Sequence, residues 1–280
     1  MNTTPIYKTP YGEKAMMEFY NRMLKYWPIE YIEMDLDTPM GNTHVIAAGD
    51  DMSPPVILLH GSTSNSTTWA GDVAAYAKNF RVYAVDLPGE PGKSFKTRLS
   101  LNNDNYNEWL LQVLDALNLQ KVALVGLSFG GWVALKFSAA HPDRINKVAL
   151  IAPGGIVNAN MKAILKMIKY SSQGEKGIDK TLQLLFPDDF ESPEVREFFT
   201  LLNTHFKVRP DAAKPLPDQV LSKVTAPVFM ICGANDCFFN FKKAEKRLIK
   251  YIPHAKVILF EKGSHWLANI TDSIIPHIKP

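Results

Sequence analysis

Ser128 lies in Gly126-Leu127-Ser128-Phe129-Gly130-Gly131, a spacing that can carry nucleophilic chemistry. Gly-x-Ser-x-Gly between a strand and a helix is the nucleophile-elbow pattern, in which a sharp turn lifts a serine hydroxyl out at the edge of a sheet. The flanks fit that context: Val122–Val125 is a short apolar run that reads as a buried strand, and Trp132–Ala140 reads as a helix. Glycine at 126, 130 and 131 follows from the turn itself, where backbone lies against backbone and a Cβ would collide with its neighbours.

A protonated hydroxyl attacks poorly. It needs a base within hydrogen-bond reach, and the base needs a carboxylate to fix its tautomer and stabilise the imidazolium. His265 in Lys262-Gly263-Ser264-His265-Trp266 follows an apolar run at 256–260, and Asp236 in Gly233-Ala234-Asn235-Asp236 follows one at 228–232. Both therefore fall at carboxyl ends of core strands, the rim where open α/β sheets bind ligands and where the elbow presents Ser128. Asp86, which ends the run at 80–85, is the alternative acid, although an aspartate before Leu-Pro-Gly more often fixes its own loop. His60, in His60-Gly61-Ser62-Thr63 after the strand at 56–59, reads as a buried imidazole pinning its loop. His44, His141, His205, His254 and His277 fall in the opening hairpin, the end of the elbow helix, the helical insertion, a helix-to-strand connection and the terminus.

Two phosphate-binding patterns fail on inspection. Gly92-Lys93-Ser94 mimics the end of G-x-x-x-x-G-K-S, but Leu87 stands where the first glycine is required. Gly126–Gly131 fails G-x-G-x-x-G because Ser128 occupies the second glycine position.

The elements that must position these residues follow from periodicity. Residues 11–27 place apolar side chains at helical spacings before Pro28, and strands around 31–36 and 43–48 are joined by Asp37-Thr-Pro-Met-Gly41 as a hairpin. Helices are expected at 66–78, 103–117, 241–251 and 267–278, with a further strand at 145–151. Strands alternating with helices predict an α/β fold: a doubly wound, mostly parallel sheet of eight strands, antiparallel only at the opening hairpin. Residues 152–217 carry helical patches at 161–170, 180–185 and 193–206 and no strand, which predicts an inserted helical cap. The expected organisation is an extension at 1–29, a core at 30–152 and 218–280, and the cap at 153–217. Lys162, Lys166 and Lys169 read as the cap's solvated stripe, and Ile164, Leu165 and Ile168 as its packing face.

HGST at 60–63, DLPGEPGKS at 86–94, GLSFGG at 126–131, GANDCFF at 233–239 and KGSHW at 262–266 together resemble the α/β-hydrolase superfamily, from about residue 30 onward. The leading helix and the D-x-P-G-E-P loop are similar to Bacillus-type carboxylesterases. That resemblance implies the α/β-hydrolase fold, Ser128 as nucleophile, Asp236 as acid and His265 as base, in the family's chain order. It also implies an oxyanion hole from the backbone N–H groups of Phe129 and Ser62, with Thr63 the alternate to Ser62. A serine at 128 argues against the branches that form an ester on aspartate. The expected activity is hydrolysis of carboxylic esters through an acyl-enzyme, with no metal and no organic cofactor. Phe129 and Trp266 beside the chemistry point to small, largely apolar substrates, with Trp266 as a binding residue. The same triad supports lactone, amide or C–C bond hydrolysis and perhydrolysis, and such scaffolds also serve as slow-turnover receptors. Cys237, next to the acid, has no assigned role beyond a small buried side chain.

Composition bounds the rest. With 280 residues, 46% hydrophobic and 21% charged, the chain suits one large α/β domain, and a net charge of +3 without a basic block does not point to nucleic acid. Met1–Pro10 lacks a signal-peptide core, and no apolar run reaches the roughly 18 residues of a membrane span. Two cysteines, Cys232 and Cys237, make no disulfide framework or zinc spacing. The expected setting is the reducing cytoplasm, as a monomer or homodimer.

Overall fold

The computed structural model describes residues 5–186, 191–238 and 240–280; Phe239 of the Gly233–Phe239 motif lies outside them. The chain runs α1 (Pro10–Leu24), β1 (Tyr31–Thr38), β2 (Gly41–Ala48), β3 (Pro55–Leu59), α2 (Val73–Ala77), β4 (Arg81–Val85), α3 (Asn105–Ala116), β5 (Val122–Leu127), α4 (Phe129–Ala140) and β6 (Ile145–Ile151). It continues through α5 (Met161–Ser171), α6 (Gly174–Leu185), α7 (Pro193–His205), α8 (Asp218–Leu221), β7 (Val228–Gly233), α9 (Phe241–Tyr251), β8 (Lys256–Phe260) and α10 (Thr271–Ile278).

The eight described strands form one sheet in the order β1-β2-β4-β3-β5-β6-β7-β8. β2 runs antiparallel to both β1 and β4, and the remaining neighbours are parallel. This is the expected α/β-hydrolase architecture. The opening strands are longer than their apolar residues indicated: Thr38 pairs with Gly41, so the hairpin loop is only Pro39-Met40, and Gly41 takes φ 135°.

Side-chain alternation on the central strands builds two cores. On β5, Val122 and Leu124 face α3 and α4, meeting Trp109, Val113 and Val133. Ala123, Val125 and Leu127 face the other side, with Trp69, Tyr76 and the isoleucines of α10. Because helices cover both faces, β3 and β5 are apolar along almost their whole length and buried throughout except at Pro55.

α1 is started by Thr9, whose side chain accepts the Gly12 N–H at 3.0 Å, and by Pro10 at its first position. It packs on α7 through Met16, Leu202 and Phe206, with Arg22 and Glu197 paired at 2.6 Å. Among the described residues four helices, α5 to α8, stand between β6 and β7. Among the described residues no helix is long and apolar enough to cross a membrane.

Candidate active site

Ser128 is a single-residue turn between β5 and α4, with φ 49° and ψ −107°. A non-glycine residue at positive φ carries strain of about 1–3 kcal/mol, held here by its surroundings. The Ser128 N–H donates to the Ile151 carbonyl at 2.9 Å, and its own carbonyl accepts from Gly154 at 2.9 Å and Trp132 at 3.2 Å. The glycines are needed by contact. A Cβ on Gly130 would stand 2.1 Å from the Leu59 oxygen, and one on Gly126 would stand 2.5 Å from the Gly130 oxygen. α4 therefore begins at Phe129, three residues before the first helical signal in the sequence, because Ser128 alone absorbs the change of direction.

The acid and base loops meet beside β7 and β8. Asn235 donates its N–H to the Gly263 carbonyl at 2.9 Å, and Ala234 donates to Phe260 at 2.9 Å. Gly233 allows this approach, since a Cβ there would lie 2.3 Å from the carbonyl oxygens of Gly263 and Ser264. The result is a contact of 2.7 Å between His265 Nδ1 and Asp236 Oδ2, with the aspartate side chain 2% exposed. Asp236 Oδ1 accepts the Phe238 N–H at 2.7 Å, and the Phe238 ring stands edge-on to His265 at 4.6 Å. With an ionised Asp236 the proton sits on Nδ1, which leaves the Nε2 lone pair for proton transfer. Among the described residues the Ser128 hydroxyl makes no hydrogen bond. Such contacts are often long without substrate and tighten in the reacting complex.

The strand β3 loop lies alongside: a Cβ on Gly61 would stand 3.6 Å from the Ser128 Cβ. Among the described residues the N–H groups of Ser62 and Phe129 have no partner, whereas Thr63 donates to Glu90 Oε2 at 2.6 Å and so is not free to act as the alternate donor. His60 is structural. Its Nε2 accepts the Leu87 N–H at 2.9 Å, so Nδ1 carries the proton and donates to the Gly61 carbonyl at 2.8 Å; burial lowers its pKa and keeps it neutral. Asp86 is committed too, accepting from Ser66 and Lys93 N–H at 2.7 Å each.

The two aromatic rings expected beside substrate also pack within the protein, Phe129 buried and Trp266 half-buried. The Phe129 ring is stacked on Trp132 at 5.7 Å and edge-on to Tyr106 at 5.4 Å, under the Arg209 guanidinium. Trp266 packs on Phe186 at 5.6 Å, and its N–H, like the Ser264 hydroxyl, is bonded to the Leu185 carbonyl. The end of α6 is thereby strapped to the base loop. Cys237 is half-buried, its thiol 3.6 Å from the Leu184 carbonyl and pushed up to about 11 by burial.

In the sequence Glu90 is one residue of the D-x-P-G-E-P loop, with no role of its own. It is buried, Oε1 has no partner among the described residues, and desolvation raises its pKa to about 7 against the partial help of Thr63, Arg209 and Arg98. Because the folded-state value exceeds the ordinary 4.5, its contribution to stability is intact below about pH 4.5 and is lost as pH rises through about 7. Glu90→Gln keeps an acceptor for Thr63 and removes the buried charge. Its stability relative to the parent is expected to increase by roughly 1–3 kcal/mol between pH 5 and pH 8, measured by urea denaturation at both. A difference that does not change with pH would show that Glu90 is not titrating in this range.

The profile of the "Alpha/beta hydrolase family" matches residues 56–272. Carboxylesterase YbfK of Bacillus subtilis is 26% identical over 259 residues, covering 89% of this chain and 86% of that protein. A 2-hydroxy-6-oxononadienedioate/2-hydroxy-6-oxononatrienedioate hydrolase of Burkholderia vietnamiensis is 28% identical over 241 residues, covering 75% and 80% respectively. Among solved structures, naproxen esterase (carboxylesterase NP) of Bacillus subtilis superposes with a TM-score of 0.87 at 24% identity, covering 96% of this chain and 99% of that one.

Proposed function

The chain belongs to the alpha/beta hydrolase family, and on that premise we propose that it hydrolyses carboxylic esters through Ser128, His265 and Asp236. The observation that carries the reading is the 2.7 Å His265–Asp236 contact, made on the same rim as a serine held at positive φ. Its similarity to carboxylesterases over most of its length supports the choice of ester over other acyl compounds.

His265 Nε2 takes the Ser128 proton as Oγ attacks the ester carbonyl. The N–H groups of Ser62 and Phe129 hold the developing oxyanion, and Asp236 stabilises the imidazolium. His265 then protonates the leaving alcohol, and in the second half it activates the water that releases the acid. Residues 153–217 act as the cap over this rim, 30–152 and 218–280 as the core, and 1–29 as an extension braced on the cap through the α1–α7 contact. The substrate is a small, largely apolar ester, with Trp266, half-buried against Phe186, as a binding residue.

A chain-length series of p-nitrophenyl esters tests the reading. Steady-state hydrolysis with an optimum in acyl length supports it. Tight binding of a small ligand with negligible turnover of any ester would replace it with a receptor role. A positional prediction follows from the acid–base junction. Gly233→Ala forces the two loops apart, and misplacement of about 1 Å costs on the order of a hundredfold in rate. Its kcat is expected to fall by about that factor with a smaller change in KM. An unaltered kcat would mean that the loops tolerate separation.

A further inference from the structure

A cavity of about 820 Å³ opens beside the acid, between the loop after β6, α5 and the start of α9, with Asp236 and Cys237 in its wall. That volume is in the range of small-ligand sites. Its lining is cationic: Lys162 and Lys166 from α5, Lys243 and Arg247 from α9. Arg247 is engaged, bonded to Asp218 at 2.6 Å, to the Leu216 carbonyl at 2.6 Å and to the Ile156 carbonyl. The three lysine ammonium groups have no carboxylate partner among the described residues. Asp236 is the one acidic residue in the described lining; its side chain is 2% exposed, and its two oxygens accept from His265 and from the Phe238 N–H rather than from a lysine.

Lys162, Lys166 and Lys169 are all exposed, the solvated stripe the sequence predicts. Lys162 and Lys166, one turn apart, line the cavity, whereas Lys169 does not. Asn160 holds the cavity in place against the acid loop, its N–H donating to the Phe238 carbonyl at 2.5 Å and its Nδ2 to the Cys237 carbonyl at 3.0 Å. Ile156, Ala163 and Leu184 add an apolar part to the same space.

We propose that this cavity receives the anionic end of the substrate, so that the preferred esters are half-esters carrying a free carboxylate at the far end of an aliphatic chain. The inference rests on the esterase reading above and adds a substrate class to it. A compact ammonium attracts a carboxylate as a point charge and the apolar lining takes the methylenes; Asp236 is the residue the cavity shares with the triad, so the aliphatic chain has to span from the lysines past the acid loop to Ser128.

The test pairs two esters that differ at one end, the mono-p-nitrophenyl ester of adipic acid and p-nitrophenyl hexanoate. The protein is expected to favour the half-ester in kcat/KM, with a preference that declines as salt is raised. In Lys162→Gln/Lys166→Gln, substitutions at exposed helix positions, the ratio of kcat/KM for half-ester to neutral ester is expected to fall about tenfold. Hydrolysis of both esters with a ratio unmoved by salt or by the double substitution overturns the anion site and leaves the esterase reading standing. If neither ester is hydrolysed, the esterase reading fails. Calorimetric titration with adipate then decides the site alone: binding lost in the double variant supports it, and no binding to the parent chain overturns it.

Discussion

Ser128→Ala is expected to reduce ester turnover by about four to six orders of magnitude while leaving the fold intact. The large loss follows from the chemistry. Without Oγ there is no acyl-enzyme, and what remains is the N–H pair of Ser62 and Phe129 acting on a water-driven reaction. The intact fold follows from the geometry. The hydrogen bonds that hold this turn run through the backbone of residue 128, to Ile151, Gly154 and Trp132, and alanine keeps all three. Alanine also meets the same restriction as serine at φ 49°, so the strain neither rises nor falls. The hydroxyl makes no hydrogen bond in the described structure, so its removal leaves no buried partner unsatisfied. Thermal unfolding and p-nitrophenyl ester kinetics on the same preparation check both halves. Equal turnover by the parent and the variant would remove Ser128 from the mechanism.

What was legible in the sequence is what local sterics dictate. The elbow could be read because Gly126 and Gly130 answer a backbone contact that admits no side chain. Asp236 and His265 could be placed because β7 and β8 are apolar runs whose ends are plain from composition. What stayed hidden depends on which distant segment arrives. Glu90 meets Thr63 across 27 residues, and nothing local in Pro88-Gly89-Glu90-Pro91 announces that its carboxylate will be buried. Phe129 and Trp266 are aromatic residues beside the chemistry in sequence, but Tyr106 and Phe186, on which their rings pack, come from other segments that nothing local announces. Lys162 and Lys166 share a helical face with Lys169, but only α9, some eighty residues later, turns part of that face into a cavity wall. The start of α4 was obscured by Gly130-Gly131, residues of low helical propensity that close packing requires there.

Asp236→Asn is expected to lower kcat by about ten-thousandfold, with KM and thermal stability changed little. The amide fits the space, and its oxygen can still accept the Phe238 N–H that Asp236 Oδ1 accepts now. The other atom is then an NH2 group facing His265 Nδ1, where the carboxylate Oδ2 stands at 2.7 Å. Two donors cannot share that position, so the imidazole moves its proton to Nε2 and loses the lone pair that takes the Ser128 proton. The contrast with Asp86 tests the proposed assignment. Asp86 also ends a core strand, but each of its oxygens accepts a backbone N–H, from Ser66 and from Lys93. Asp86→Asn leaves one of those buried donors facing an NH2 group, a penalty of about 1–3 kcal/mol. It is therefore expected to lower the Tm, while kcat per folded molecule holds within about tenfold. Kinetics normalised by active-site titration, run beside thermal unfolding, separate the two roles. Were Asp86→Asn the catalytically dead variant and Asp236→Asn the merely unstable one, the acid would be Asp86, and the His265–Asp236 contact would be structural.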